Sequence, residues 1–362
     1  YEIPLRLVGS EMCIRDRTHT VYSVRNSDVA SVQLLNKGYY MENNNSVNFA
    51  DYEFIPKLLT QIEKVIIGKH DVVKMLVAAL LSGGHVLIED VPGTGKTTLA
   101  MTLAKATSLS CRRVQFTPDV MASDITGFTM YNKESERFEY RNGLVMSNIF
   151  IADEINRTSP KTQSALLEAM EEKKVTVDGV AHKLPEPFMV IATENEFGYV
   201  GTYPLPEAQL DRFLIKLSVG YPTAEDEAMI LYRRKNGDPI ETVEPVCSAD
   251  DITRCISAVR DTHIDAAIYK YIVDIVSATR NHPFVALGAS PRASIALMRA
   301  SQSIAFMDGR NYVTPEDVAL MVNYVLPHRI HLTQEAKVKR VSVGLVISEI
   351  MKAVRPPFKS NE

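Results

Sequence analysis

With 362 residues, 46% of them hydrophobic, the chain is long enough to bury a full core, with room for one large domain and a smaller one. Its 40 basic and 44 acidic side chains leave a net charge of −4, which gives no electrostatic footprint for non-specific nucleic-acid binding. The longest apolar run, Met75 to Leu81, ends at Ser82-Gly83-Gly84-His85, well short of the roughly 20 residues that span a bilayer, so no membrane insertion is expected. Cys13, Cys111, Cys247 and Cys255 have neither metal nor disulfide spacing, and read as reduced thiols of a cytoplasmic protein.

In chain order, the stretch VGSEMCIRDR at 8–17 resembles the translation of a sequencing-adapter end. Residues 1–40 are therefore expected to be non-native or disordered and are set aside, with Met41 as a natural start. A polar lead then turns into an amphipathic helix at about 51–66. Next, His85-Val86-Leu87-Ile88 is a short apolar run followed by a glycine-containing loop and the helical pattern TTLAMTLAKATS, with Leu99, Leu103 and Ala104 on one side. Strand, loop and helix in that order suit a phosphate-binding loop, here Pro92, Gly93, Thr94, Gly95, Lys96, Thr97 and Thr98. The glycines let backbone N–H groups turn inward, Lys96 carries charge to the β- and γ-phosphates, Thr97 offers a Mg²⁺ ligand, and the helix N-terminus adds its dipole. Asp90 stands where the usual pattern has its first glycine, at a strand end, which is tolerable if its φ is negative.

Residues 127–131 and 137–141 read as a hairpin around a polar turn. Ile149 to Ala152 then form a buried-strand pattern ending in Asp153-Glu154, the second of which follows Lys96 by 58 residues. Asp153 can bind Mg²⁺ through water, and Glu154 can act as general base on the attacking water. A helix is expected over 161–172 and a second hairpin over 174–184, turning at Asp178-Gly179. A third apolar strand, 188–193, ends in Glu194-Asn195; Asn195 could orient the water, or could simply form a turn. Arg212 follows an apolar helical turn, and Arg292 opens a helix after a Ser-Pro cap. Both are candidates for stabilising charge on a transferring phosphoryl group, the alternative being surface salt bridges. From Thr223 onward helical patterns dominate, at about 250–262, 264–280, 291–308 and 315–324.

The order of phosphate loop, Asp-Glu, Asn, Arg, Arg resembles the AAA+ ATPases. The phrases QFTPDVMASDITG, ADEINRTSPKTQSALLEAMEE, GTYPLPEAQLDRF and GASPRA are similar to the MoxR family over about residues 50–355. The resemblance implies an α/β fold: an AAA+ P-loop core with a parallel sheet flanked by helices over 41–221, and a C-terminal all-helical lid over 222–362. It implies ATP and Mg²⁺ as cofactors, with Lys96, Thr97, Asp153, Glu154 and Asn195 in the cis site. Arg292 corresponds to the sensor-2 arginine, carried by the lid back to the γ-phosphate, and Arg212 to an arginine finger acting on the neighbour's ATP. It also implies a homo-oligomeric, hexameric ring, a partner with a von Willebrand factor A domain and a client protein that is remodelled or matured. No specific nucleic acid is expected.

Arg329 lies in a phrase the family shares, and a structural ion pair is its expected role. The two hairpins, which in related ATPases project toward the pore or face, either contact partners or cover a sheet edge. ATENEF stands where the family pattern has ATQNP, so Glu194 is a departure. A DNA-directed AAA+ motor is disfavoured by the acidic balance and the lack of an appended DNA-binding module. A non-hydrolysing regulatory scaffold could dispense with the base Glu154.

Overall fold

The computed structural model describes residues 49–91, 93–195, 202–235 and 237–357, Asn195 through its backbone alone, together with the backbone of two strands nearer the N-terminus. Residues 1–47 and 48–362 form separate compact units. In the first, β1 (Met12–Arg15) and β2 (Val21–Val24) pair antiparallel, with Met12 opposite Val24. The rest of residues 1–40, and with it most of the stretch read as an adapter end, lies outside the described residues.

The second unit opens with α1 (Phe54–Glu63) and α2 (His70–Leu81), which lead into β3 (Val86–Asp90). Then come α3 (Lys96–Ala106), β4 (Cys111–Gln115), the hairpin β5 (Gly127–Asn132) and β6 (Arg137–Asn142), and β7 (Ile149–Asp153). Helix α4 (Pro160–Glu172), the hairpin β8 (Lys174–Val177) and β9 (Val180–Lys183), β10 (Met189–Asn195) and β11 (Ile215–Leu217) complete the core. Five strands make one parallel sheet in the order β11-β3-β10-β7-β4. Its three central strands are those legible as apolar runs, because a strand covered on both faces has no polar alternation.

The two edge strands were not foreseen. β4 exposes four of its five residues, and β11 is three residues long, so neither carries an apolar run. One face of the sheet packs Leu87, Phe150 and Ala192 against Leu166, Met170 and Phe213. The parallel register sets Asn195 beside Asp90 and Gln115 beside Asp153, so the carboxyl ends of β3, β7 and β10 meet at one crevice, where ligands of open α/β sheets bind.

Beyond β11 the chain is a stack of helices: α5 (Ala224–Arg234), α6 (Ala249–Arg260), α7 (Ala266–Arg280), α8 (Pro291–Met307), α9 (Pro315–Val325) and α10 (Val343–Ala353). Their starts follow their caps. Thr223 accepts from the Asp226 N–H, Ser248 and Asp251 exchange bonds in a capping box, and Ser290 accepts from the Arg292 N–H ahead of Pro291. The lid is not purely helical, since Val285–Leu287 and His331–Leu332 pair antiparallel and extend through the Thr333 N–H to Phe284 O at 3.0 Å. Among the described residues no helix is long and apolar enough to cross a membrane.

Candidate active site

The loop after β3 turns on Gly93 and Gly95, both at φ +86°, a conformation glycine adopts without the Cβ clash of other residues. Gly95 is the N-cap of α3, which begins at Lys96 and so aims its free N–H groups into the crevice. Lys96 is buried; its Nζ donates to the carbonyls of Asp90 (2.8 Å) and Glu194 (3.1 Å), the ends of β3 and β10. Desolvation lowers its pKa, opposed by the charges of Asp90, Glu154 and Asp153. Gly93, Thr94, Gly95 and Thr98 form one wall of a cavity of about 290 Å³. Ile66, Val219, Pro222 and Ile230 line its apolar side, with Arg233 and Arg234 at its margin. Pro92, also expected in the loop, lies outside the described residues.

In the first turn of α3, the Thr97 hydroxyl lies 3.1 and 3.2 Å from the two carboxylate oxygens of Asp153. Asp153 is 3% exposed, and it also accepts from Arg113 Nε at 2.6 Å and from the Thr193 hydroxyl at 3.4 Å. A hydroxyl and a carboxylate converging at the mouth of a phosphate loop are hard oxygen donors of the kind Mg²⁺ takes alongside water and phosphate. The residues present therefore fit that ion.

Glu154 follows directly, at φ 56°, a left-handed conformation uncommon for a non-glycine residue and concentrated at functional turns. Its N–H donates to the Thr193 hydroxyl at 2.9 Å, and its carboxylate receives Arg157 at 2.8 Å. Thr193 thus ties β10 to both acids of the Asp-Glu pair. Asn195 ends β10 in register with Asp90, and its side chain lies outside the described residues. Glu194 has its carbonyl on Lys96, while burial pushes its carboxyl up to about 7.

The two arginines are elsewhere, and together. Arg212 donates to Leu167 O (2.5 Å) and pairs with Glu171 (3.0 Å), and Arg292 pairs with the other oxygen of the same Glu171. Both line a second cavity, of about 320 Å³, with Lys173 and Arg299, and neither lines the phosphate-loop cavity. The lid therefore does not carry Arg292 to the loop of its own chain as expected. The reason is the seating of α8: the Ser303 hydroxyl donates to Ala78 O on α2 at 2.8 Å, and the Ser290 hydroxyl donates to Asp211 at 2.7 Å, which sets the start of α8 beside Arg212.

Arg329 is buried, 6% exposed, with Nε on Asp211 at 2.7 Å and further bonds to the carbonyls of Leu214 (3.1 Å) and Asp211 (3.2 Å). Its guanidinium is consumed in joining the lid to the core. Sequence reasoning missed Arg113, Thr193, Glu171 and Asp211. Thr193 had a signal, standing just before Glu194-Asn195 at the strand end, and so did Asp211, immediately before Arg212; Arg113 and Glu171 had none, because their partners are set by tertiary packing.

Comparison with known proteins accords with this geometry. The profile of the ATPase family associated with various cellular activities (AAA) matches residues 85–215, and that of the AAA lid domain matches residues 277–350. The chain is 50% identical to the Bacillus subtilis protein YeaC, over 85% of this chain and 96% of that one. It is 38% identical to the Mycobacterium tuberculosis chaperone MoxR1, covering 85% and 84% of the two chains. A crystal structure of a candidate ATPase from Cytophaga hutchinsonii superposes with a TM-score of 0.80 at 37% identity, covering 85% of this chain and 96% of that chain. With its phosphate loop, its Asp-Glu pair and its lid all inside these matches, the chain belongs to the MoxR family of AAA ATPases.

Proposed function

We propose that this protein hydrolyses ATP, with Mg²⁺, at the crevice between the phosphate loop and the carboxyl ends of β7 and β10. It would do so within a homo-oligomeric, hexameric ring that remodels a client protein in the cytoplasm. The observation that carries the reading is the gathering at one loop of Lys96, on the carbonyls of Asp90 and Glu194, and of Thr97, on the carboxylate of Asp153. In this assignment Gly93 to Thr98 hold the phosphates through N–H groups, and Lys96 exchanges its two carbonyl partners for phosphate oxygens. The apolar wall of Ile66, Val219, Pro222 and Ile230 takes the base. Thr97 and Asp153 would hold the Mg²⁺, which when bound neutralises charge developing on the phosphate oxygens.

Glu154, held in its left-handed turn directly after Asp153, draws a proton from the attacking water. Asn195 orients that water from the neighbouring strand. Arg212 and Arg292, which share Glu171 away from the loop, line one cavity as a pair suited to the phosphate of an adjoining subunit. A partner with a von Willebrand factor A domain is carried by the family resemblance, and the name of the relative MoxR1, a chaperone, supports the remodelling role.

The test is turnover and nucleotide binding in two variants. Glu154→Gln is expected to bind ATP with near wild-type affinity while losing about 100-fold or more of its turnover, and Lys96→Ala to lose binding. Turnover unchanged in Glu154→Gln, measured by phosphate release, would remove the base from the mechanism.

A further inference from the structure

We propose that Asp90 is a positioning residue of the nucleotide site: its carboxylate clamps the segment leaving the sheet for the lid, Ser218 to Gly220, against the start of the phosphate loop. The proposal rests on the nucleotide-site reading above and explains why the loop lacks its usual first glycine. Asp90 is 5% exposed, and its two carboxylate oxygens bond different segments. Oδ1 accepts from the Val91 N–H at 2.7 Å, the first residue of the loop. Oδ2 accepts from the N–H groups of Val219 (2.7 Å) and Gly220 (2.5 Å), with the Ser218 hydroxyl at 3.4 Å.

One side chain thus joins two strand exits that the chain separates by about 130 positions. The clamped segment is part of the site. Val219 and Gly220 line the same cavity as Gly93, Thr94 and Gly95, and Gly220, at φ +67°, turns the chain toward Pro222 and the lid. Next to it Lys69 Nζ donates to Tyr221 O at 2.8 Å and also lines the cavity. The main-chain carbonyl of Asp90 receives Lys96, so the clamp and the phosphate-binding lysine meet at one residue. A carboxylate accepting backbone N–H groups makes charge-assisted bonds, roughly twice as strong as neutral ones. A glycine at position 90 would offer none, and the wall of Val219 and Gly220 would be free to draw away from the loop.

The experiment compares wild type with Asp90→Gly, which restores the usual glycine, Asp90→Asn, which keeps the shape and one acceptor oxygen, and Lys96→Ala. Binding of a fluorescent ATP analogue, KM and kcat for ATP, and melting temperature with and without nucleotide are measured. Asp90→Gly is expected to bind about tenfold or more weaker, the equivalent of one lost charge-assisted bond, and Asp90→Asn to fall between it and wild type. KM is expected to rise in both with kcat retained, because the wall contacts bound nucleotide equally in ground and transition states. The nucleotide-induced rise in melting temperature is expected to shrink; a role confined to fold stability would lower the two melting temperatures alike and leave that rise intact.

If Asp90→Gly fails to fold, Asp90→Asn carries the comparison. Wild-type affinity and an undiminished nucleotide-induced rise in the folded Asp90 variants, with binding lost in Lys96→Ala, overturn the clamp alone. Wild-type binding in Lys96→Ala overturns the nucleotide-site reading, and the clamp with it.

Discussion

Glu194 shows how one side chain registers the plan of the sheet. Parallel pairing sets it directly beside Glu89 on the same face, and Lys216 of β11 pairs with Glu89, leaving Glu194 partly buried at a cavity shared with His328 and His331. Burial pushes its carboxyl from 4.5 to about 7 in the folded protein. Between those values the unfolded chain has lost the proton that the folded chain keeps, so stability falls as pH rises through the window. The contribution is complete below 4.5 and gone above the folded value. A Glu194→Gln variant does not titrate, and relative to wild type it is expected to gain up to about 3 kcal/mol on going from pH 4.5 to pH 8. Urea midpoints across that range check this, and parallel curves for the two proteins would count against it. The departure at 194 was visible in the sequence as a Glu where the family pattern has Gln, but its environment was not, because Glu89 and Lys216 reach it only through strand pairing.

At the scale of elements, the core and lid are joined by the turn around Asp211, whose carboxylate takes Arg329 on one oxygen and the Ser290 hydroxyl, the N-cap of α8, on the other. Arg329 and Asp211 side chains are 3% and 17% exposed, so the pair lies out of reach of effective solvent screening. Removing one partner leaves a buried charge uncompensated, a change that typically lowers stability by about 3–5 kcal/mol. Asp211→Ala is expected to fall in that range by chemical denaturation, and adding Arg329→Met to restore part of the loss; additive losses in the double variant would mean that the ion pair contributes little. An ion pair for Arg329 was the expectation from sequence, though its partner was not. Legibility divides along the same line elsewhere. The Asp178-Gly179 turn was readable, since φ of 49° and 79° is what a two-residue hairpin asks of Asp-Gly, and so were helices with Ser, Thr or Pro at their starts. Edge strand β4 was not, because Cys111-Arg112-Arg113 has the polarity of a loop and becomes a strand only by pairing with β7.

For the whole molecule, the division of the site into two places decides how it can work. Loop, Asp153 and Glu154 lie at one crevice, whereas Arg212 and Arg292 share Glu171 at another, so a chain acting alone has no arginine of this pair at its own phosphates. If each ATP is completed by the neighbouring subunit, an Arg212→Ala chain still owns an intact base and a Glu154→Gln chain still owns intact arginines. Each is expected to be inactive by itself. Mixed at equal amounts, with random placement, about one interface in four joins an intact base to an intact arginine pair, so recovery on the order of a quarter of wild-type turnover is expected. Repeating the mixture with Arg292→Ala in place of Arg212→Ala separates the two arginines. Recovery in both mixtures assigns both to the neighbour's ATP, in keeping with the carboxylate they share. Recovery with Arg212→Ala but none with Arg292→Ala, in rings shown by mass to contain both chains, would return Arg292 to its own subunit and require the lid to swing away from Glu171 during the cycle.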